Sequence, residues 1–502
     1  MSAERPNLIL ITLDALNFRL TMDNLDSLPT LKRLMGEGVV FKNTFSTGPV
    51  TPISFPGIIA GVYAYDFGTR LSEHVKTIDQ IAAEAGYNTA FIGEAQCFLS
   101  PFFGYGRNIH YSRDLLQFST FGPDRNFTDV LMKKEALRDP KGMWGKLQNR
   151  VSLQSGMLSR IFYAATLIPT FLMEYTKSDN PASHRSKARL HNKFVAEIEE
   201  FVDGNFARPQ FLWVHSMINH LPYLPAAGTR FSESEINYLN YRGLVKLGIP
   251  RFGKGCVRKL KELYIDSLRT TDEFIGRMLL ALESNGHLKN SVIIVTSDHG
   301  EEFMEEGFYE HNPMSCSDSL LNIPLIFYAP SIFGKKIVNG PVSTLDILPT
   351  VCDMLSVEKP NTARGISLWD ILVNEGNVKL EDGLWSRAIF SEGWNRQSWS
   401  DCGRGDDIPE RVFVAREGRF ALKLKQKLKE RAPVQEEYTL RDWVRNENLE
   451  IEEHRDEFDK LRKHLSDHLR RPRGEETAEY VEPYTPEEEQ ELRRRLANLG
   501  YL

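Results

Sequence analysis

The sequence predicts an α/β fold: a large, mostly parallel sheet sandwiched between helices, then a smaller C-terminal α+β part with antiparallel strands. Three observations carry this. Strand-like and helical segments alternate from Asn7 to about residue 375, the rhythm of βαβ units. Several strand-like runs are apolar almost throughout, as in strands covered on both faces. Two late stretches, Arg411–Arg416 and Phe420–Leu428, instead alternate with period two, which marks strands with one wet face.

In order, Asn7–Leu13 is a buried strand ending at Asp14, and Leu31–Glu37 is helical, closed by Gly38. Val39–Phe41 is extended, and Ile58 and Ile59 lie in a helix stopped by Gly61, glycine being the usual residue just past a helix end. Thr77–Ala85 is a helix and Asn88–Gly93 a strand. Residues from about 100 to 190 break the rhythm and read as an insertion near a site. Beyond it, Phe194–Val202 is a helix and Pro209–Val214 a strand ending at His215; Lys259–Ser284 is a long helix, and Ser291–Thr296 and Ile323–Tyr328 are strands. Three parts follow: a catalytic α/β part over 1–375, a C-terminal antiparallel part over 376–470, and a charged tail over 471–502 with a helix at Pro486–Leu499. Lys423, Lys425, Lys427 and Lys429 share one strand face and read as a solvated face that discourages edge pairing.

The 502 residues suffice for a large core with an appendage. A net charge of -6 excludes a general nucleic-acid binder, which needs a basic face. Five scattered cysteines without a CxxC argue against a disulfide framework or a zinc knuckle and for a reducing compartment. With Asn7–Leu13 already reading as a core strand, no secretory leader is visible, and the expected location is the cytoplasm. The most apolar stretch, Ile161–Met173, is shorter than the ~20 residues a span needs. It reads as a core or lid helix, with membrane contact at most peripheral.

Chemistry concentrates in four places. Ile293–Thr296 is a β-branched run that, after Ser297, delivers Asp298 and His299 side by side, ahead of Gly300. That is how a parallel strand brings hard-metal ligands to the carboxyl edge of a sheet. Asp14 ends the first strand in the same manner; alone it would be read as a cap. Thr51 precedes an apolar helix, where free amides and the helix dipole favour an anion. A nearby divalent ion would lower its pKa further and make it a nucleophile. His215 and His220 follow a strand and suit an anionic substrate, with His220 also able to act as a general acid; a packed, hydrogen-bonded role stays open for His215. His311 lies in a Glu- and Gly-rich loop, and Glu301, Glu302, Glu305 and Glu306 beside it read as solvated or supporting.

The chain resembles the sulfatase family of the alkaline phosphatase superfamily. The resemblance rests on Asn7–Asp14, Pro29–Leu34 before Gly38–Phe41, Thr51–Gly61, His220–Tyr223, Ser297–Glu301, Asn322–Ile326, Leu345–Thr350 and Gly365–Leu368. It implies that Asp14, Asp298 and His299 ligate a metal with Thr51, that Thr51 is the nucleophile, and that His220 and His311 contact the substrate's charged group. Asn17 stands where a basic residue is common and is a further substrate-contact candidate. The family's sulfate-cleaving members open this element with Cys or Ser, oxidised to formylglycine, with Pro two and Arg four residues on. Here those positions hold Thr51, Ile53 and Phe55. Threonine is a secondary alcohol, and its oxidation gives a ketone. A frame shifted to Ser54 loses the Arg and the spacing to Gly61. A direct threonine nucleophile is the superfamily's phosphodiesterase and phosphotransferase chemistry. Ala15 follows Asp14 where a second acid is frequent, which weakens the case for two metals.

The expectation is therefore a metal-dependent phosphate mono- or diester hydrolase acting through a Thr51 alkoxide, with Mn, Zn or Mg favoured over Ca. Its substrate would be a small-molecule, glycan-linked or lipid-linked anionic ester. Three alternatives stay open: sulfate-ester hydrolysis at the same site, phospho-group transfer to a glycan or lipid alcohol, and a catalytically silent binding module.

Overall fold

The computed structural model describes residues 5–94, 97–99, 103–114, 184–244, 254–374, 378–394, 410–429 and 432–471. Most of the expected insertion, with its apolar stretch at 161–173, and the expected helix at 486–499 lie outside them. Among the described residues, nine strands form one sheet. They are β1 (Asn7–Leu13), β2 (Val39–Phe45), β3 (Asn88–Gly93), β4 (Tyr111–Asp114), β5 (Gln210–Ser216) and β6 (Ser291–Ser297), and, beyond the short hairpin β7 (Glu302–Phe303) and β8 (Tyr309–Glu310), β9 (Asn322–Tyr328), β10 (Lys336–Val338) and β11 (Val342–Ser343). The order is β10-β2-β9-β6-β1-β5-β3-β4, with β11 beside β2. Every pair is parallel except those made by β9, which runs antiparallel to both β2 and β6.

The helices that matter here are α1 (Phe18–Asp23), α2 (Pro29–Glu37), α3 (Thr51–Ala60), α4 (Ile78–Glu84), α5 (His184–Gly204), α6 (Glu233–Leu244), α7 (Lys254–Ser284), α8 (Ile347–Leu355) and α9 (Arg455–Leu469). They cover both faces of the sheet. Successive side chains of β1 point to opposite sides: Leu8 and Leu10 join a core with α3, α4 and α8, while Ile9, Ile11 and Leu13 join a second core with α2, α5 and α7. A strand buried on both faces keeps its polar residues near its two ends, here Asn7 and Thr12, which is why the apolar runs were so legible.

A second sheet of five antiparallel strands follows: β12 (Ile389–Trp394), β13 (Glu410–Glu417), β14 (Phe420–Lys429), β15 (Ala432–Asp442) and β16 (Glu447–Leu449). Phe413, Ala415, Leu422 and Leu424 pack with Phe458, Leu461 and Leu465 of α9, and with Val50 and Ile53 at the start of α3. The lysine stripe departs from the expectation at one end. Lys425, Lys427 and Lys429 are exposed, but Lys423 is only 11% exposed and pairs with Glu306 at 2.6 Å.

Candidate active site

Register brings the site together. Leu13 of β1 lies opposite Ser297 of β6, and Thr12 opposite His215 of β5. Three neighbouring parallel strands thus stop at one level, and the residues just beyond β1 and β6 are Asp14 and Asp298. Both carboxylates and His299 are fully buried. One ligand atom from each of the three falls within 4.8 Å of the others. His299 Nε2 is 3.7 Å from Asp14 Oδ1 and 3.4 Å from Asp298 Oδ2.

Backbone groups fix this cluster. Asp298 Oδ1 accepts from the amides of Ala15 (3.2 Å) and His299 (2.8 Å). Ala15 adopts φ 60 to present its amide, a left-handed conformation that a residue with a Cβ takes only when its surroundings impose it. His299 Nδ1 donates to the Gly300 carbonyl at 2.8 Å. That bond assigns the ring proton to Nδ1 and leaves Nε2 with a lone pair. Asp298 Oδ2 is buried without a hydrogen-bond partner. Two buried carboxylates, one imidazole lone pair and an unsatisfied oxygen fit a divalent cation, since buried charge of one sign needs a counter-charge.

Thr51 is the first residue of α3. Val50 occupies the cap position and no side chain caps the helix. The Thr51 hydroxyl instead turns to the cluster, donating to Asp14 Oδ2 at 3.4 Å and standing 3.4 Å from His299 Nε2. The cap position belongs to Val50, so the Thr51 side chain is not the cap of this helix. Ser54 Oγ donates back to the Thr51 carbonyl at 3.2 Å, so the shifted frame does not bring Ser54 to the ligands. Gly61 ends the helix at φ 65. Thr47 and Thr344 lie so close to Gly57 that a Cβ there would sit 2.5 Å from Thr47 Oγ1.

The histidines divide. The His311 ring lies 4.5 Å from that of His299 and 5.0 Å from that of His220, so both reach the cluster. His220 Nδ1 donates to Leu221 O at 2.7 Å. His215 does not stand at the surface of the site. It is fully buried, edge-on to Phe55 at 5.3 Å, with Nδ1 3.0 Å from Thr12 Oγ1 and Nε2 3.7 Å from Asp14 Oδ2. There its Nε2 faces Asp14, which fits the packed role left open for it in the sequence. Asn17 is also corrected. Its Oδ1 caps α1 through the Leu20 amide, and its Nδ2 donates to the carbonyls of Glu301 and Ser319. Both its amide hydrogens and one acceptor site of Oδ1 go into the fold.

Sequence reasoning missed Glu301. It is fully buried, accepting from Tyr223 OH at 3.1 Å and standing 3.3 Å from His311 Nδ1. A carboxylate on Nδ1 fixes the orientation of an imidazole. In an acidic run nothing in the composition separates Glu301 and Glu302, both buried, from the more exposed Glu305 and Glu306.

Electrostatics separate the two acids. Burial alone would raise Asp14, but His220, His215 and His299 outweigh it and hold its carboxyl well below the usual range. Burial and the neighbouring Asp14 push Asp298 up to about 6. His220 is pushed down to about 4 by burial, against the pull of Asp14.

Comparison with known proteins places the chain in a family. The family model described as Sulfatase matches residues 6–357. Arylsulfatase K of Canis lupus familiaris is 23% identical over 399 residues, covering 77% of this chain and 70% of that protein. N-acetylglucosamine-6-O-sulfatase of Bacteroides thetaiotaomicron is 21% identical over 425 residues, covering 77% and 74%. Among solved structures, a phosphonate monoester hydrolase from Silicibacter pomeroyi superposes with a TM-score of 0.62 at 18% identity, covering 96% of this chain and 98% of that one. A putative sulfatase from Bacteroides thetaiotaomicron gives 0.63 at 17%, covering 98% and 96%. The chain belongs to the sulfatase family and is a hydrolase of sulfuric or phosphoric esters.

Proposed function

We propose that the chain hydrolyses phosphate or phosphonate esters, with Thr51 as the attacking group and a covalent phosphothreonine as the intermediate. The observation that supports this most is the Thr51 hydroxyl, 3.4 Å from both Asp14 Oδ2 and His299 Nε2, at an uncapped helix start. The Thr51 Oγ–P bond forms as the ester P–O bond breaks, and water then releases the phosphoryl group. Asp14, Asp298, His299 and Thr51 are the residues that would hold a divalent ion, Mn, Zn or Mg on this oxygen–nitrogen donor set, with Ca less favoured. Such an ion supplies a lowered hydroxyl pKa and charge for a non-bridging oxygen.

The chain's own residues do the rest. His220 is uncharged at neutral pH, its pKa near 4 in the absence of substrate. An anionic phosphoryl group beside it would favour the protonated form that a leaving oxygen requires. His311, turned by Glu301, shares the task of protonating the leaving oxygen. The curated relatives named above are sulfatases, one of them named for N-acetylglucosamine 6-O-sulfate. They support a second reading, a sulfuric ester cleaved at the same site, and an anionic glycan ester as the substrate class. Transfer to an alcohol finds no support among the described residues.

The test is Thr51→Ala and Thr51→Ser, assayed on aryl phosphate, aryl phosphonate and aryl sulfate with added Mn or Zn. We expect Thr51→Ala to lose on the order of 10³-fold or more in kcat and Thr51→Ser to keep most of it. Undiminished turnover in Thr51→Ala would remove Thr51 as the nucleophile. A parent rate higher on sulfate than on phosphorus esters would favour the second reading.

A further inference from the structure

A second cluster of charge lies behind the site. Gly93, the last residue of β3, pairs with His215 of β5, so Glu94 emerges beside Ser216. Glu94 is buried. Its Oε2 accepts from Ser216 Oγ at 2.8 Å and from the Met217 amide at 2.9 Å, and its Oε1 stands 3.2 Å from His191 Nδ1. His191 lies on α5, one turn after Lys187, so the two share a helix face. Lys187 Nζ donates to the carbonyls of Met217 and His220, each at 2.9 Å, and to that of Pro222. An ammonium has three donors, and all three go to one turn of backbone.

That turn carries His220, whose Nδ1 is tied to the turn's own Leu221 carbonyl. The imidazole therefore inherits its direction from the backbone that Lys187 holds. Burial lowers Lys187 to about 8, opposed by Glu94 and Asp14, so the ammonium is still mostly charged at neutral pH. Burial works against Glu94 as well, but His191 and Lys187 bring it down to about 2.

We propose that Lys187 is a positioning residue: by tying the carbonyls of Met217, His220 and Pro222 to one ammonium, with Glu94 as counter-charge, it sets where the His220 imidazole stands beside the Asp14–Thr51 cluster. The inference rests on His220 acting at that site. It identifies a helix outside the strand-end motifs as part of the catalytic apparatus. Neither Lys187 nor Glu94 belongs to any motif that carried the family resemblance.

The experiment is a double-mutant cycle on the full chain. Lys187→Met and Lys187→Gln are made in the parent and in His220→Ala, and kcat, KM and the melting curve are measured on the best aryl ester. Lys187→Met is expected to lower kcat about 10- to 100-fold with KM changed less than about threefold. In the His220→Ala background the same change should cost less than about twofold, because the group it positions is gone. Lys187→Gln, which keeps donors for the turn, should recover part of kcat, and it carries the cycle if Lys187→Met does not fold. An equal loss in both backgrounds, or a loss no larger than the fall in folded fraction, would overturn the positioning role while leaving His220 in place. Intact kcat in His220→Ala alone would overturn both.

Discussion

Strands β1, β5 and β6 are buried along their whole length and release charge only at or beyond their last residues. Strand β14 instead alternates lysine with leucine or glutamine from Lys423 to Lys429. In these three strands, ionisable side chains are confined to the carboxyl edge, where burial forces charge to pair or to hold a counter-ion. In the C-terminal sheet, charges are spread along the strands and free to reach sideways. Lys423 and Arg441 both meet Glu306, between β7 and β8, and Arg416 meets Asp318 at 2.7 Å. His311 follows β8 directly. The first sheet therefore places Asp14, Asp298 and His299, and the second grips the hairpin that leads to His311.

Three measurements can break or sharpen this division. The largest effect belongs to Asp298→Asn. Two carboxylates buried side by side disfavour the metal-free fold, as the upward push on Asp298 records. The variant should lose roughly 10²-fold or more in activity and in metal affinity. Without metal it should nonetheless melt a few degrees above the parent, while added Mn or Zn should raise the melting temperature of the parent alone. A variant that melts lower without metal would contradict the picture of an edge strained for function.

Next comes Leu461→Ala, a buried α9 side chain beneath the second sheet. It should cost about 2–5 kcal/mol of stability and leave kcat of the folded fraction within about twofold. A large fall in kcat per folded molecule would mean that the two sheets are not separable in this way.

The smallest effect is on acid stability. His468 of α9 is fully buried, stacked on Phe390 at 4.2 Å, with neither ring nitrogen hydrogen-bonded. Burial lowers it to about 3. Its folded value lies below its unfolded one, so its contribution is complete above about pH 6.5 and is lost as pH falls toward 3. His468→Phe should leave stability near pH 7.5 within about 1 kcal/mol and flatten the decline between pH 6.5 and 4. An unchanged acid profile, followed by denaturant midpoints, would remove His468 as a source of that decline.

What the sequence made legible follows the same division. The run from Asn7 to Leu13 and the Asp298–His299 pair announce themselves because a doubly covered strand keeps its polar residues near its ends. Thr51 needed the spacing to Gly61 to be separated from a helix cap. The direction of β9 could not be read, since Asn322–Tyr328 is as apolar as a parallel strand would be. Asn17 was misassigned because a short polar residue before a helix serves equally as cap or contact. Lys423 was read as solvated, and Glu301 only as solvated or supporting, because composition cannot show which member of a charged run the chain folds inward. Lys187 had no local signal at all, its partners lying about 30 residues or more away in sequence.

Helix α3 is buried at every residue. Its Phe55, Ile58 and Ile59 belong to the core of the large sheet, while Ile53 belongs to that of the smaller one. The Thr51 hydroxyl thus rides on a keystone wedged between two vaults. A keystone can bear a small loss beneath one vault, as at Leu461, but a change that shifts α3 itself loads both vaults at once.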